Sequence, residues 1–365
     1  MNKIFVGLIL FLCLFAASTI AQQFPSDVKE NLNISILPEY QSWQIENGAD
    51  LSQVSSSFDV NYYFLRYTRL TLSGRFASTD GDVEKLSGFS DSQVALSHKF
   101  EKINLVLDAG INLPSGKANL NEKEFLTSRL ISQDVFNMRV GNYGQGLNIY
   151  FGGLFAFAAG DNVSLGFGAS YQARGEYEPF KDDSSTYKPS DEILITAGAD
   201  FSMNNSNTLS FDLTAMFYGS DKINDKELFD SGDRILFTGL YTQYFGLNAL
   251  HVLAGYRHRM LSSFNEDYLL VEDEKVNPDN IFAMINYVQN LSKSFSIGFS
   301  LKGNFYEATS AEFSGYNVFE YGLNPLINIS SNVQLPINFK FLSGSTEDKP
   351  NLLGYEASIG LRFIY

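Results

Sequence analysis

The chain has 365 residues, with 26 Lys or Arg against 41 Asp or Glu and a net charge of −15. So acidic a balance argues against nucleic acid or an anionic membrane surface as a partner. A single Cys excludes a disulfide framework.

The N-terminus is charged at Lys3, apolar from Ile4 to Ala17 and small-residue-rich in "STIAQ", where Thr19 and Ala21 fit a cleavage site. This is the grammar of a secretory signal peptide, residues 1–21, and the apolar run is too short for a spanning helix. Leu12 before Cys13 argues against lipidation. Residues 22–365 are read as one domain, Cys-free and with a net charge of −16 once Lys3 is removed. No later segment reaches 18 apolar residues, so no transmembrane helix is expected. With 32 Phe, 20 Tyr, 29 Gly and 9 Pro, the composition fits an outer-membrane barrel or a secreted β-protein.

Period-2 alternation decides between them. After a first strand at about 32–45, Phe58, Val60, Tyr62 and Phe64 share one face, and "LRY" turns into Leu70, Leu72 and Phe76. The stretch "STDGDVEKLSGFSD" reads as a longer polar connector before Val94, Leu96, His98 and Phe100. A tight "EK" turn leads into Ile103, Leu105, Leu107, Ala109, Ile111 and Leu113. The alternation resumes near Leu147 and runs through Phe157, "AGDN" and Val163 to Tyr171. Hairpins follow with "NNSN" between Phe201 and Leu209, "GLNA" between Tyr241 and Leu250, "LSKS" between Tyr287 and Phe295, and "SSN" before Val333. The connectors 175–190, "GSDKINDKELFDSGD" and 263–277 are charged and read as loops; "EDYLLVEDE" within the last is a solvated acidic run rather than a metal site.

The expected fold is all-β: a transmembrane antiparallel up-and-down barrel of about 16 strands (14–18 possible), with seven short turns and eight longer connectors. Strands of about 11–14 residues are long for a soluble sandwich and suit a tilted crossing of the hydrocarbon layer. At the C-terminus, Tyr355, Ile359, Leu361, Phe363 and the final Tyr365 lie at alternate positions, the pattern read by the bacterial barrel-assembly machinery. Phe64, Tyr67, Phe100, Tyr244, Phe245, Phe295 and Tyr365 are expected at the periplasmic girdle, and Phe217, Tyr218, Tyr306 and Tyr316 at the outer one.

The opposite parity should line the lumen: Arg69, Arg75, Asn104, Asp108, Asn112, Gln172, Arg174, Asp200, Asp212 and His251, then Arg257, Arg259, Asn286, Lys302, Asn304, Asn338, Lys340, Glu356 and Arg362. A salt-bridged interior is one reading; a selective site built from Arg257, Arg259 and Asp108 is the other. The connector 114–145 carries Phe125, Leu126, Leu130, Ile131, Val135, Phe136 and Met138, which fit one side of a short helix. So much apolar area suits a lid or constriction in the barrel mouth, or packing on a neighbouring loop. Phe125, Leu130 and Phe136 are the residues expected to form it.

Ser87, Gly88 and Asp91 entering one strand, then Leu113-Pro114-Ser115-Gly116-Lys117 ending the next, resemble a signature of outer-membrane proteins of the "meta-pathway of phenol degradation" type. That group is similar in style to FadL-type hydrocarbon transporters. The resemblance covers residues 87–117 and implies passive uptake of hydrophobic or aromatic small molecules through a monomeric barrel. Only "QQFPSDVKEN" precedes the first strand, so the N-terminal hatch of such barrels is either absent or replaced by 114–145.

The expected function is therefore an outer-membrane channel for small, hydrophobic or aromatic solutes. The alternatives are a general diffusion porin and a structural or adhesive barrel presenting acidic loops. The partners expected are outer-membrane lipids, the assembly machinery and a small solute, without nucleic acid; oligomeric state is not legible. An enzyme is not expected: His98 and His258 fall on the lipid-facing parity, and inward His251 has no visible nucleophile beside it. No cofactor or metal constellation is present in the sequence.

Overall fold

The computed structural model describes residues 31–46, 50–264, 275–309, 315–345 and 351–365. The signal peptide and the acidic run 266–274 lie outside them. Sixteen antiparallel strands close into a barrel. In chain order they are β1 (Leu32–Ile45), β2 (Leu51–Leu65), β3 (Thr68–Gly81), β4 (Leu86–Phe89 and Ser92–Phe100), β5 (Leu105–Leu113), β6 (Asn148–Ala158), β7 (Val163–Arg174) and β8 (Glu192–Asn204). The second half comprises β9 (Asn207–Tyr218), β10 (Arg234–Phe245), β11 (Asn248–Arg259), β12 (Asn280–Asn290), β13 (Phe295–Tyr306), β14 (Tyr316–Asn328), β15 (Val333–Ser345) and β16 (Leu352–Ile359 and Leu361–Ile364).

Each strand pairs with its sequence neighbours, and β1 pairs with both β2 (Leu32↔Tyr62 to Trp43↔Leu51) and β16 (Asn33↔Ile364 to Ile45↔Leu352). Leu32 and Tyr365 exchange reciprocal backbone hydrogen bonds of 2.8 Å, so the last pair is shut at the chain ends. Closure removes the unpaired edges that could not exist in hydrocarbon. Twelve residues at about 3.3 Å each, tilted about 40°, rise about 30 Å, enough to cross the apolar layer.

The period of two sets which residues meet lipid. Outward Phe151 and Phe339 are 59% and 52% exposed, whereas inward Trp43 is 0% exposed. A soluble domain would bury such rings; a barrel with an apolar outside and a polar inside is the outer-membrane type. No helix among the described residues is long and apolar enough to cross a membrane. The periplasmic-end turns are short: Gly246, at φ 63°, turns β10 into β11, and Asn104, at φ 49°, follows the 3-10 turn Glu101–Ile103. Asn104 is therefore a turn residue rather than a lumenal one.

Three further expectations are corrected. The "polar connector" 78–91 is mostly wall: β3 runs to Gly81 and β4 starts at Leu86, with Thr79 and Leu86, and Ala77 just before them, buried inside the barrel. Short and long connectors consequently do not alternate strictly, because 82–85 is as short as a turn. The charged connectors are not simple loops: Tyr187–Lys188, Ser220–Ile223, Lys226–Asp230 and Ser263–Phe264 form a second, four-stranded sheet above the outer rim. Its hairpin turns at Asn224 and Asp225, both left-handed, as a two-residue turn requires. Finally, of the outer-girdle aromatics only Phe217 faces out. Parity turns Tyr218 and Tyr306 inward beside outward Phe217 and Phe305, and Tyr316 packs against the interior cluster described next.

Among the described residues, the buried apolar cluster lies inside the barrel. Wall residues Trp43, Leu51, Ala77, Leu86, Val318, Leu342 and Leu352 meet Leu120, Ile131, Val135, Phe136, Met138, Val140 and Tyr143 of the connector 114–145. The connector thus buries its apolar residues in the lumen and not on the surface. Its helix α1 (Glu122–Ile131) starts with a capping box between Asn121 and Glu124. Val135 and Phe136 come after the helix in a turn, and Met138 follows in coil.

Candidate functional site

The site is the lumen and the connector that narrows it. The connector's root is fixed by the two motif segments of the sequence. Between the two halves of β4, Asp91 leaves the strand ladder; its carboxylate accepts hydrogen bonds from the Gly116 N–H (2.9 Å) and the Gln145 N–H (2.7 Å). One side chain therefore binds both the outgoing and the returning chain. Ser115 Oγ lies 2.9 Å from both the N–H and the hydroxyl of Ser92, and Lys117 N–H donates to the Phe89 carbonyl. A Cβ on Gly116 would stand 2.0 Å from the Tyr143 carbonyl oxygen, so only glycine fits.

From this root the connector crosses the lumen, tied to the wall at successive points. Gln53 Nε2 donates to the Val140 carbonyl and Gln53 Oε1 accepts the Val140 N–H, both at 2.9 Å. Trp43 Nε1 and Gln41 Nε2 each donate to the Phe136 carbonyl at 2.9 Å. The Tyr143 hydroxyl donates to the Leu86 carbonyl, and burial pushes its pKa up to about 12. On the far side, the Asp134 carboxylate reaches Arg257 (3.0 Å) and Arg259 (3.3 Å), and Tyr306 Oη donates to the Asp134 carbonyl. Outside, Glu124 binds Lys117 (2.6 Å) and Lys181 (2.9 Å). Burial would raise the Glu124 pKa, but these cations and the Asn121 N–H outweigh it and hold the carboxyl at about 2.

The three residues expected to form the constriction divide. Phe136 is buried, edge-on to Trp43 at 5.8 Å between ring centres. Leu130 and Phe125 pack partly buried against the interior cluster, and Phe125 also meets Phe180 of the neighbouring connector at 5.0 Å.

Along the β1–β8 side an open cavity of about 600 Å³ extends from the connector toward the periplasmic end. Asn142, Gly144 and Gln145 roof it, and Asn33, Ser35 and Arg362 stand near its foot. Arg69 and Arg75 face Asp59 and Asp108 across its flank; the Asp108 carboxylate accepts a hydrogen bond from Ser97. Asn112 also lines it, and Val106, Leu154 and Leu194 add an apolar strip beside Tyr150.

The other lumenal candidates form separate groups. Lys302 pairs with Glu320 (2.8 Å), which also accepts from Asn304, and Lys340 pairs with Glu356 (2.9 Å), a ladder across β13 to β16. Asn338 bonds Ser358. Asp200 and Asp212 sit diagonally on β8 and β9, opposite Ser210 and Gly198. His251 bonds Thr242 across β10 and β11. Arg257 and Arg259 are bound by Asp134 from the connector rather than joined with Asp108, so the three-residue site expected from sequence does not assemble. Sequence reading missed Asp134, Gln53 and Trp43, which hold the connector, and noted Asp91 only as a motif residue without its bracing role. The repeated polar residues at inward parity, Gln41, Gln53 and Ser55, were the available signal for an interior partner.

At the C-terminus, Tyr355, Ile359, Leu361 and Tyr365 are exposed on the outer face and Phe363 is half-exposed.

No protein-family model and no curated protein matches the chain. Its fold is similar to solved structures. Pseudomonas aeruginosa OpdQ aligns at 11% identity and a TM-score of 0.50, over 93% of this chain and 100% of that one. Pseudomonas aeruginosa OccK5 (OpdH) aligns at 11% identity and 0.51, over 92% and 98%. At these identities the likeness is one of fold: a full-length antiparallel barrel.

Proposed function

We propose that this protein is a passive channel for small molecules in the bacterial outer membrane, narrowed by the connector 114–145. The observation that carries the reading is the polar cavity of about 600 Å³ running beneath that connector. A structural barrel has no need to leave such a space unfilled, and an interior lined by Arg69, Arg75, Asp59 and Asp108 suits a wet passage. The charged lining favours solutes that carry polar groups. The strip of Val106, Leu154 and Leu194 beside Tyr150 offers the aromatic or apolar part of such a solute a surface, which supports the substrate class implied by the sequence resemblance. The C-terminal aromatic pattern is read as the assembly signal.

Reconstitution of residues 22–365 in a planar lipid bilayer tests the channel. Steady single-channel steps are expected. A folded barrel that conducts no ions and admits no small neutral sugar in liposome swelling would overturn the reading in favour of a structural barrel.

A further inference from the structure

Four arginines stand together at the outer end of β7 to β11, and the carboxylates that bind their side chains are Glu192 and Asp134. Arg174 pairs with Glu192 at 2.8 Å, both side chains essentially unexposed. Arg234 opposes Arg259 across β10 and β11, and Arg259 shares Asp134 with Arg257. Arg234, itself 5% exposed, donates from Nε to the Met216 sulfur at 3.1 Å and sits over the Tyr218 ring. A thioether is a weak acceptor and carries no counter-charge. Among the described residues, Arg174 Nε and Nη1 and Arg259 Nε are buried without a hydrogen-bond partner. Buried guanidinium N–H groups without an acceptor are costly, and an anion that joins them removes that cost.

We infer that Arg257 and Arg259 form an oxyanion site that the connector's Asp134 fills as an internal surrogate, and that a carboxylate or phosphate group of a passing solute takes its place. The Asp134 carboxylate displays the geometry: one oxygen is held by two guanidinium groups, the donor arrangement suited to carboxylate and phosphate. The site is reachable, because the Asp134 and Arg257 side chains keep 20% and 17% of their exposure. Displacing the Asp134 carboxylate removes the ionic tie on that side of the connector and leaves it to the Tyr306 hydroxyl, while Gln53, Trp43 and Gln41 still hold the segment 136–140, so an anionic solute loosens the constriction as it binds. The inference rests on the channel reading for its solute, but the site is measured without any current.

The test is equilibrium dialysis of the refolded barrel in detergent micelles with inorganic phosphate and, separately, acetate. Asp134→Asn keeps the size of the side chain and removes the competing charge. Saturable binding is expected to tighten about tenfold or more in this variant, since the competent form no longer has to displace a bound carboxylate. Arg257→Lys, which keeps charge but loses the fork, should weaken binding in the Asp134→Asn background. Preference for phosphate or for acetate identifies the class of solute group. Equal binding by wild type and Asp134→Asn, or no binding of either anion, would sink the site whether or not the barrel conducts. A non-conducting barrel that binds phosphate would sink the channel reading and leave the site standing.

Discussion

At the scale of single residues, the connector is held by side chains that offer the backbone a substitute partner. Gln53 is the clearest case: its amide satisfies both the N–H and the C=O of Val140 inside the barrel. Gln53→Leu leaves two buried backbone groups unmade, at about 1–3 kcal/mol each. The Val140 amide should then exchange with solvent at least tenfold faster, read by hydrogen exchange in micelles. Glu124 sets a pH limit on the outer part of the same segment. Its carboxyl is held at about 2, below the usual 4.5, so its stabilisation is full above pH 4.5 and is lost as pH falls toward 2. Trp43, the sole tryptophan, lies against Phe136 and reports the connector's position. Its emission should stay constant from pH 7 to 5 and shift below pH 4, and in Glu124→Gln the connector should be more readily cut by protease at neutral pH. These partners were illegible in the sequence for a physical reason. Gln53 and Val140 are 87 positions apart, and a polar residue at inward parity looks the same whether it faces water or a folded-in backbone.

At the scale of elements, the wall and the connector obey different rules. Strands declare themselves by alternation, because one face must be apolar in lipid and the other need not be. Where the inner face is buried as well, the signal fails: Ala77, Thr79 and Leu86 are buried under the connector, and the strand ends around them read as a polar excursion. The same parity argument, carried one residue further at Phe217 and Phe305, would have turned Tyr218 and Tyr306 inward. The rim sheet was missed because its strands are two to five residues long, too short for any period to show. No residue of 114–145 belongs to a wall strand. Replacing 118–142 by a short Gly/Ser linker should therefore leave a folded barrel with several-fold larger conductance steps; unchanged steps in the bilayer would show that the passage is limited elsewhere.

At the scale of the whole molecule, the barrel's closure depends on its last few residues. The segment Leu361–Ile364 pairs with Asn33–Ile36 on one side and with Val333 and Gln334 on the other. Deleting residues 361–365 should open the periplasmic end of that seam. The expected result is loss of the boiling-dependent shift in gel mobility that marks a closed barrel. The fold class was legible in the sequence because every strand obeys one constraint. The passage was not, because it depends on which inward residues meet across the lumen.

The mutual hydrogen bonds of Leu32 and Tyr365 also make the order of the strands along the chain irrelevant to the wall. A circular permutant, with Tyr365 joined to Asn31 through a short turn and new ends cut between Gly246 and Leu247, retains the strand pairings of the wall. It should refold in detergent to the same barrel. In cells it should fail to reach the membrane, because its terminal residue is no longer the aromatic that ends the final strand. Stability and delivery would thereby be separated in one molecule with the same sixteen strands.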